Sequence, residues 1–384
     1  MKRLILIKIL SIHGFDQIGG VETHINVLSD GLMNNGVKVV IASNNNDLLH
    51  NSTEKLSIPD FRFIEKFSIF RILNFLKCFM KVLHKNKVSK IDVVHIHLTN
   101  TSVLVLSSMI ARFIRAPLVC TLHGTIMFRY RPFRLGLKVF SKSIDSLICP
   151  TDEIADASLA FGCSKDKIRV IPNPIIIPHN QGSISHFYPF SEKGFSLCHV
   201  SRLDRDKMKA TILLLKSLKL LQSQGKDISL TIVGGGESQK ELEDLSYGEL
   251  SIDRDKLKFT GRLSPDEVFK AMINSHAVIS AGRVSLEAMS LRRPIVYLSS
   301  IGDFIGMSPP VNSQNMDSLI RTNFSGRGIS DHFDEITLAK VINNLMKATP
   351  DEINSIISAQ DSILSEFSVD RVTDRVKNLY ASLL

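Results

Sequence analysis

The sequence predicts an α/β protein made of two doubly wound parallel-sheet domains that follow one another along the chain. Short runs rich in valine and isoleucine alternate with helical patterns throughout the 384 residues. This alternation is typical of strand–helix–strand units with helices on both faces of a sheet. An irregular segment near the middle interrupts the alternation, which then begins again. The length fits two to three domains of ordinary size.

Eleven apolar runs predict buried strands, because each ends at a polar, glycine or proline break. Helical periodicity separates many of them and dominates the last part of the chain. The predicted strands are 3–12, 38–43, 93–98, 117–123, 146–150, 168–172, 195–201, 228–236, 257–262, 276–281 and 294–300, and the predicted helices include 22–34, 102–115, 208–223, 239–245, 265–273 and 284–290, with a helical stretch over 331–384.

These elements predict a first domain over 1–175 and a second over 195–365. Residues 176–194 are rich in Pro, Ser, His and Asn and predict an interdomain linker. The amphipathic segment 366–384 is expected to pack back on the first domain. Ligands of such sheets bind beyond the carboxyl ends of the strands, so two domains facing each other would enclose a central cleft.

The composition is 44% hydrophobic and 22% charged, which is typical of a globular protein and excludes wholesale disorder. Five cysteines (Cys78, Cys120, Cys149, Cys163 and Cys198) are widely scattered and form no C-x-x-C pair. This pattern disfavours a disulfide framework or a structural zinc site and favours a reducing compartment. We therefore expect a cytoplasmic protein.

The amino-terminal run begins like a signal peptide, with basic residues followed by apolar ones. Lys8 interrupts this run and no A-x-A cleavage pattern follows, so a buried first strand is the better interpretation. The longest other apolar candidate, 104–114, is too short to cross a bilayer and contains Arg112. The sequence predicts no membrane span.

The net charge of +9 is concentrated in the first half of the chain. Residues 1–181 contain 23 Lys and Arg against 13 Asp and Glu, whereas the remainder has 24 against 25. The excess lies mainly at 55–90 and 129–142, where basic and apolar residues interleave. Such faces favour contact with an anionic membrane surface, although plain solvated helices remain an alternative. Nucleic acid is disfavoured, because no DNA- or RNA-binding motif accompanies the charge.

The first candidate binding motif is Gly19-Gly20-Val-Glu-Thr-His24, which follows the first strand and opens a helix. Paired glycines let the backbone approach a phosphate, and a helix amino terminus offers free N–H groups. The motif matches neither G-x-G-x-x-G nor the Walker pattern, which weakens a dinucleotide or ATP assignment. A plain turn is the structural alternative.

Two further motifs follow strands of the second domain. Arg202 and Lys207 come after the strand at 195–201, where two cations suit recognition of a diphosphate. Gly234 and Gly235 belong to a three-glycine run after the next strand. Such a run permits close approach of a ligand or of another backbone segment. Each motif, taken alone, is also compatible with a solvated loop.

A fourth motif runs from a strand into a helix and contains Arg283, Ser285 and Glu287. The first turn of a helix favours a carboxylate, which could instead accept two hydroxyls of a ribose. In the first domain His123 ends a strand, and His95 and His97 form an H-x-H pair on one face of another. No third metal ligand is indicated, so we favour structural or cleft-facing roles for these histidines.

The order of these motifs is more specific than any one of them. GGVETH, VVHIHL, TLHGT, IRVIPNP, SRLDRDK, LTIVGGGE, KFTGR, SLEAMS and PIV follow one another over about residues 10–298. In this the sequence resembles the retaining glycosyltransferases of family 4, of the bacterial surface-polysaccharide type. The resemblance implies the GT-B fold, which has two Rossmann-like domains with the active site between them.

The resemblance also implies transfer of a sugar from a nucleotide donor with retention and without a cofactor or bound metal. Arg202 and Lys207 would hold the donor diphosphate, and Glu287 would bond the ribose hydroxyls. Gly19 and Gly20 would close over the phosphates. The remaining expected site residues are His123, near the transferred sugar, and the nucleotide-sugar contacts Gly234, Gly235, Arg283 and Ser285.

The sequence departs from the family pattern at several places. A glutamate usually lies eight positions before the second acidic residue, where this chain has Ile279, and Gly282-Arg283 occupies a shortened turn. The missing carboxylate commonly touches the donor sugar. Arg292-Arg293 stands where a small residue often precedes the proline, and residues 299–330 do not match the pattern.

Three functions are therefore compared. The first is a membrane-peripheral transferase that uses a UDP-sugar, or less readily GDP-mannose, to extend a lipid-linked glycan or polysaccharide at the inner face of the cytoplasmic membrane. Lipopolysaccharide, O-antigen or capsule synthesis is the expected setting. The second is a sugar-nucleotide 2-epimerase with the same fold. The third is a non-catalytic partner subunit of a transferase, although the presence of Arg202, Lys207 and Glu287 argues against it.

Overall fold

The chain divides into two compact units, and each is described by itself. The N-terminal unit comprises residues 1–175 and 366–384, and the C-terminal unit comprises residues 176–365. The computed structural model describes residues 8–13, 20–45, 53–62, 64, 68–98, 100–124, 130–177, 194–301, 303–325 and 333–384.

The described part of the N-terminal unit contains a parallel sheet of seven strands in the order β3-β2-β1-β4-β5-β6-β7. The order reverses between β1 and β4, as it does in doubly wound sheets. β4 and β5 are buried along their whole length, which explains their continuous apolar sequences. The strands are β1 (Lys8–His13), β2 (Lys38–Ser43), β3 (Glu54–Ser57), β4 (Val93–Leu98), β5 (Leu118–Leu122), β6 (Ser146–Cys149) and β7 (Ile168–Val170).

Five helices connect these strands, counted over the residues that the structure places. Their apolar faces form two buried clusters on the sheet. Side-chain caps fix some of their starts: the Asn100 carboxamide accepts a hydrogen bond from the N–H of Val103 at 2.9 Å. The helices are α1 (Gly20–Asn34), α2 (Ile69–Val88), α3 (Thr101–Ile114), α4 (Arg131–Phe140) and α5 (Asp152–Ala160).

The last helix of the chain, α13 (Val369–Leu383), packs against α1 in the N-terminal unit. Gly31 makes this packing close, because a Cβ there would lie 2.8 Å from Cγ2 of Val369 and would also overlap Thr373. Tyr380 is fully buried, and its hydroxyl lies 2.6 Å from Nδ1 of His95 in a hydrogen bond. The carboxyl end of the chain therefore completes the core of the first unit.

The C-terminal unit contains, in its described residues, a six-stranded sheet in the order β10-β9-β8-β11-β12-β13. All neighbouring pairs are parallel except β12 and β13, which pair antiparallel. The order reverses between β8 and β11, so this sheet has the same switch point as the first one. The strands are β8 (Phe195–Val200), β9 (Ile228–Val233), β10 (Leu257–Phe259), β11 (Ala277–Ser280), β12 (Ile295–Ile301) and β13 (Phe304–Ser308).

Leucine-rich helices cover this second sheet and form one buried core with it. α8 starts at a reciprocal capping box, in which Ser264 and Glu267 satisfy each other's backbone groups. The helices are α6 (Met208–Ser223), α7 (Gln239–Asp244), α8 (Pro265–Ile273), α9 (Arg283–Ser290), α10 (Met316–Arg321), α11 (Glu335–Met346) and α12 (Pro350–Phe367).

The predicted fold class is confirmed: both units are α/β with Rossmann-like sheets. Two strands were missed. β3 is an edge strand with partly exposed residues, so it lacks the continuous apolar run of a buried strand. β13 lies in the stretch 299–330, for which the sequence offered no interpretation, and it forms a short antiparallel edge.

Candidate functional site

A cleft of about 280 Å³ lies at the switch point of the C-terminal sheet. Residues from the carboxyl ends of β8 and β11 face it, including Ser201, Arg202 and Gly282. In open α/β sheets this is the place where ligands bind. Its other lining residues are Val200, Lys207, Ala210, Ala281, Val284, Leu298, Ser299, Ser300, Thr322, Asn323 and Ser325.

The structure brings the two predicted cations to this cleft. The Arg202 side chain is 69% exposed, and its Nη1 lies 2.8 Å from a carboxylate oxygen of Asp204. The Lys207 side chain is more covered, and its Nζ donates a hydrogen bond to the carbonyl oxygen of Ser300 at 2.9 Å. Lys207 is therefore held in place while Arg202 can reorient toward an anion. Such a pair suits a diphosphate, which accepts both a forked guanidinium and a point charge.

The predicted glycines Gly234 and Gly235 are not among the residues that line this cleft, and their contact with a nucleotide-sugar stays a prediction. Gly234 has a φ of +132°, and a Cβ on it would overlap the carbonyl oxygen of Ser201. A Cβ on Gly236 would overlap the backbone of Leu203 in the same way. The glycine run therefore lets the loop after β9 press against the loop that carries Arg202. Its effect on the cleft is indirect.

Some residues of the motif at α9 line the cleft, and others are buried inside the C-terminal unit. Gly282 caps α9 with a φ of +65° and lines the cleft together with Val284. Ser285 is fully buried, and its hydroxyl lies 3.1 Å from that of Ser280. Its predicted contact with the nucleotide-sugar stays a prediction. The amino terminus of α9 nevertheless faces the cleft, where its dipole favours an anion.

Arg283 and Glu287 form an ion pair one helical turn apart, with 2.9 Å between Nε and Oε1. Both side chains are mostly covered, at 16% and 18% exposure. Burial raises the pKa of the Glu287 carboxyl, while Arg283 acts in the opposite direction. A carboxylate held in this way is oriented to accept hydroxyl hydrogen bonds. Neither residue lines the described cleft.

Ile279 does not occupy a cleft position, contrary to the expectation that it replaces a sugar-binding glutamate. It lies within β11, is fully buried, and its carbonyl oxygen accepts a hydrogen bond from Nδ1 of His199 at 2.8 Å. Counting back eight residues from Glu287 enters the strand because the turn after β11 is short. The residue eight positions before Glu287 therefore lies in the strand and not in the turn.

Arg293 has a structural role that its charge did not predict. It is 1% exposed, and its guanidinium donates to the carbonyl oxygen of Ile273 from Nε at 3.2 Å and from Nη2 at 2.8 Å. Arg292 has a φ of +54° and pairs with Asp361 at 2.9 Å. The two arginines before the proline thus join α8, α9 and α12.

The sequence analysis did not predict that residues between 299 and 325 form one wall of the cleft. Ser299 and Ser300 lie in the last part of β12, and Thr322, Asn323 and Ser325 follow α10. Asn323 and Phe324 have positive φ values of 52° and 56°, which turns the backbone toward the N–H of Gly282. The polar run T-N-F-S after a helix was the available signal, but polar turns are common at the surface.

His123 lies in the N-terminal unit, directly after β5. Its Nε2 is 2.8 Å from Nδ1 of His97, and burial lowers its pKa to about 4. Gly20 is exposed and begins α1, where a Cβ would meet nothing within 4 Å. Gly19, which is predicted to close over the phosphates, lies outside the described residues.

Comparison with known proteins decides the broad class. Residues 18–177 match the family model of Glycosyltransferase Family 4, and residues 181–304 match that of Glycosyl transferases group 1. The chain is built from two glycosyltransferase domains. The cleft lined by Arg202 and Lys207 lies in the second of them. A search of curated protein sequences finds no match to the chain.

Solved structures of the same fold cover both units of the glycosyltransferase. HepE from Anabaena in complex with UDP is 18% identical, with a TM-score of 0.73 over 98% of this chain and 100% of that chain. The lipopolysaccharide outer core galactosyltransferase WaaB is 16% identical, with a TM-score of 0.65 over 98% and 100%. A UDP-GlcNAc 2-epimerase from Methanocaldococcus jannaschii is 14% identical, with a TM-score of 0.61 over the same shares. At these identities the likeness shows the GT-B fold.

An exposed face of the N-terminal unit combines apolar and basic side chains. Phe70 on α2, Phe113 on α3 and Leu135 on α4 are 73%, 66% and 64% exposed. α3 packs against both α2 and α4, so the three helices are neighbours. The sequences of α2 and α4 contain eight basic and no acidic residues. We refer to α2, α3 and α4 as the basic apolar face.

Among the described residues, no helix combines the length and apolar character needed to cross a membrane. α3 is the most apolar of the helices on the basic apolar face, yet it has only 14 residues and contains Arg112.

Proposed function

We propose that this glycosyltransferase transfers a sugar from a UDP-sugar to a lipid-linked or polysaccharide acceptor, with retention of the anomeric configuration. The observation that carries this proposal is the cleft at the switch point of the C-terminal sheet, where Arg202, Lys207 and the amino terminus of α9 converge. UDP is favoured because HepE, a protein of the same fold, binds it. Retention follows from the resemblance of the sequence motifs to family 4.

The chemistry that the cleft supplies is stabilisation of a leaving group. Departure of a nucleoside diphosphate develops negative charge, which cations and backbone N–H groups at the cleft can stabilise. Lys207 is fixed by Ser300, and Arg202 can close on the second phosphate. In this proposal no metal ion is needed at the diphosphate. Glu287, oriented by Arg283, is proposed to bind the ribose hydroxyls, and His123 the transferred sugar.

The acceptor is proposed to be lipid-linked because of the basic apolar face. Apolar side chains such as Phe70 and Phe113 can enter the headgroup region, while Lys and Arg attract anionic lipid. Each basic residue near such a surface contributes about 1 kcal/mol of binding free energy. On this basis we propose that the protein acts at the inner face of the cytoplasmic membrane, in the synthesis of lipopolysaccharide, O-antigen or capsule.

Liposome sedimentation tests the membrane part of the proposal. The wild-type protein is expected to sediment with vesicles that contain anionic lipid and to be released by salt. Reversal of two exposed charges on α2, Lys77→Glu with Lys87→Glu, should weaken binding. The matched control reverses two exposed charges in the C-terminal unit, Lys216→Glu with Lys240→Glu. Binding that is indifferent to anionic lipid, or equally weakened by both pairs, would refute the membrane face.

A thermal-shift screen tests the donor. UDP, GDP, ADP, CMP and their sugar conjugates are compared, since a ligand that binds only the folded protein raises stability by about 2.7 kcal/mol at 100 times its Kd. A selective shift with UDP that disappears in Lys207→Ala supports the proposal. A selective shift with GDP would mean that the donor is a GDP-sugar and not a UDP-sugar. No shift with any nucleotide would favour the hypothesis that the protein is a non-catalytic partner subunit of a transferase.

A sugar-nucleotide 2-epimerase is the second candidate, because an epimerase shares the fold over almost the whole chain. The two activities differ in their need for an acceptor. Incubation with the UDP-sugar alone should leave the sugar unchanged if the protein is a transferase. Formation of the 2-epimer without acceptor would establish the alternative.

A further inference from the structure

Three histidines from three elements meet at the carboxyl end of the N-terminal sheet. His24 lies on α1, His97 on β4, and His123 follows β5. One ring nitrogen of each lies within 4.8 Å of the others. The ring centroid of His24 is 5.0 Å from that of His97 and 4.8 Å from that of His123. We refer to these three residues as the histidine cluster.

The geometry within the cluster directs ring nitrogens toward one another. The rings of His97 and His123 are nearly parallel, at 20°, yet their centroids are 5.1 Å apart and the facing nitrogens only 2.8 Å apart. These values place the rings edge to edge with a hydrogen bond between them, rather than face to face. The ring of His24 meets both at steep angles of 67° and 80°.

His95 is adjacent but does not belong to the cluster. Its Nδ1 is hydrogen-bonded to Tyr380 at 2.6 Å and its Nε2 to Thr121 at 2.8 Å. The sequence suggested His95 and His97 as a ligand pair with no third member. The structure instead combines His97 with two histidines that are distant in sequence.

The histidine cluster combines two buried imidazoles with one that solvent reaches. His24 and His97 are 4% and 2% exposed, while His123 is partly exposed and gives access from solvent. Neutral imidazole is the form in which histidine binds metal ions.

We propose that His24, His97 and His123 bind a divalent transition metal ion, best matched by zinc, in the N-terminal unit. Three imidazole nitrogens and one open position form a common zinc site, whereas magnesium and calcium prefer oxygen ligands. Zinc–nitrogen bonds of about 2.0–2.1 Å require the facing nitrogens of His97 and His123 to separate and their rings to rotate, so that both lone pairs point at the ion.

Proton balance is simple for this site. Binding breaks the hydrogen bond between His97 and His123 and forms three nitrogen–metal bonds. The proton of that hydrogen bond moves to the other nitrogen of the same ring, so each imidazole keeps one proton and none is released. The three ligands all belong to the N-terminal unit, and one of them, His123, is also proposed to bind the transferred sugar.

Metal titration of the full-length protein, freed of metal with a chelator, tests this proposal. Zn²⁺ in competition with a chromophoric chelator should bind at one ion per chain. Co²⁺ should give the strong visible absorption of a four-coordinate nitrogen site. His97→Ala and His123→Ala should lose both signals, whereas His84→Ala, which removes an exposed histidine on α2, should keep them.

Several outcomes overturn the proposal. The proposal is wrong if Zn²⁺ does not bind in competition with the chelator. It is also wrong if His84→Ala loses the Zn²⁺ and Co²⁺ signals as fully as the cluster variants do. A sulfur-to-cobalt band would place the ion on a cysteine instead, of which Cys163 is the most exposed. His123 is the partly exposed member of the histidine cluster, so its substitution should disturb the fold least. Circular dichroism and thermal unfolding of His123→Ala without metal test whether this variant folds.

The metal proposal and the proposed function fail independently. The UDP thermal shift is repeated in excess chelator. A UDP shift that persists there, together with direct Zn²⁺ binding, supports both. Zn²⁺ binding without any nucleotide shift supports the histidine cluster alone, and a UDP shift without Zn²⁺ binding supports the donor site alone.

Discussion

The two units use one sheet topology and differ at its switch point. In the C-terminal unit the ends of β8 and β11 open on a cleft with two cationic side chains, Arg202 and Lys207. In the N-terminal unit the ends of β4 and β5 carry two hydrogen-bonded imidazoles, His97 and His123, and His24 of α1 lies beside them. The topology determines where a site forms, and the side chains determine whether that site suits an anion or a cation.

The largest expected effect concerns the charge in the C-terminal cleft. Lys207→Ala removes a fixed cation from the place where the leaving diphosphate develops charge. Loss of one such interaction typically lowers the rate about 100-fold or more, and we expect this in a transfer assay with a UDP-sugar. The UDP thermal shift should disappear as well.

Lys209→Ala is the matched control for this prediction. Lys209 lies two residues further along, and its side chain pairs with Asp303 outside the cleft. Activity close to wild type is expected for this variant. An equal loss of activity in both variants would mean that the overall positive charge of this region matters, and that the position of Lys207 in the cleft does not.

The next effect concerns the glycine that supports the Arg202 loop. Gly234→Ala forces a Cβ into the carbonyl oxygen of Ser201 at a φ of +132°, and should lower the free energy of unfolding by about 2–4 kcal/mol. Gly248→Ala is the control, because a Cβ there meets nothing within 4 Å. It should be neutral or stabilise by about 0.5–1 kcal/mol. Urea unfolding measures both, and similar values would contradict the close approach of the two loops.

The smallest effect compares one buried tyrosine in each unit. Tyr380→Phe removes the hydroxyl bonded to His95 in the N-terminal unit, at an expected cost of about 1 kcal/mol. Tyr297→Phe in the C-terminal unit should be neutral or stabilising, since its buried hydroxyl has no hydrogen-bond partner among the described residues. Unfolding midpoints in urea distinguish them. Equal destabilisation by the two substitutions would show that the hydrogen bond between Tyr380 and His95 contributes no net free energy of folding.

Much of the fold followed from local patterns. β2, β4, α6 and α8 match their predicted ranges, because continuous β-branched runs and regular helical spacing are encoded in neighbouring residues. The antiparallel strand β13 was missed, because its pairing with β12 depends on a partner that the strand sequence does not specify.

The candidate site followed only in part. Arg202 and Lys207 were predicted from their place after a strand, and both line the cleft. The burial of Ser285 and the position of Ile279 within β11 could not be predicted by counting residues, since the length of one turn changes which side chains face the cleft. The glycine run was located correctly, but what it approaches is backbone.

The sequence by itself determined the two α/β units, the excess of positive charge in the first half and the order of motifs typical of a glycosyltransferase. These properties depend on residue type and short-range spacing. Only the tertiary structure decided that residues after α10 complete the cleft, that Tyr380 reaches His95, and that His24 joins His97 and His123. Such contacts join residues far apart in the chain, and the packing of helices on a sheet brings them together.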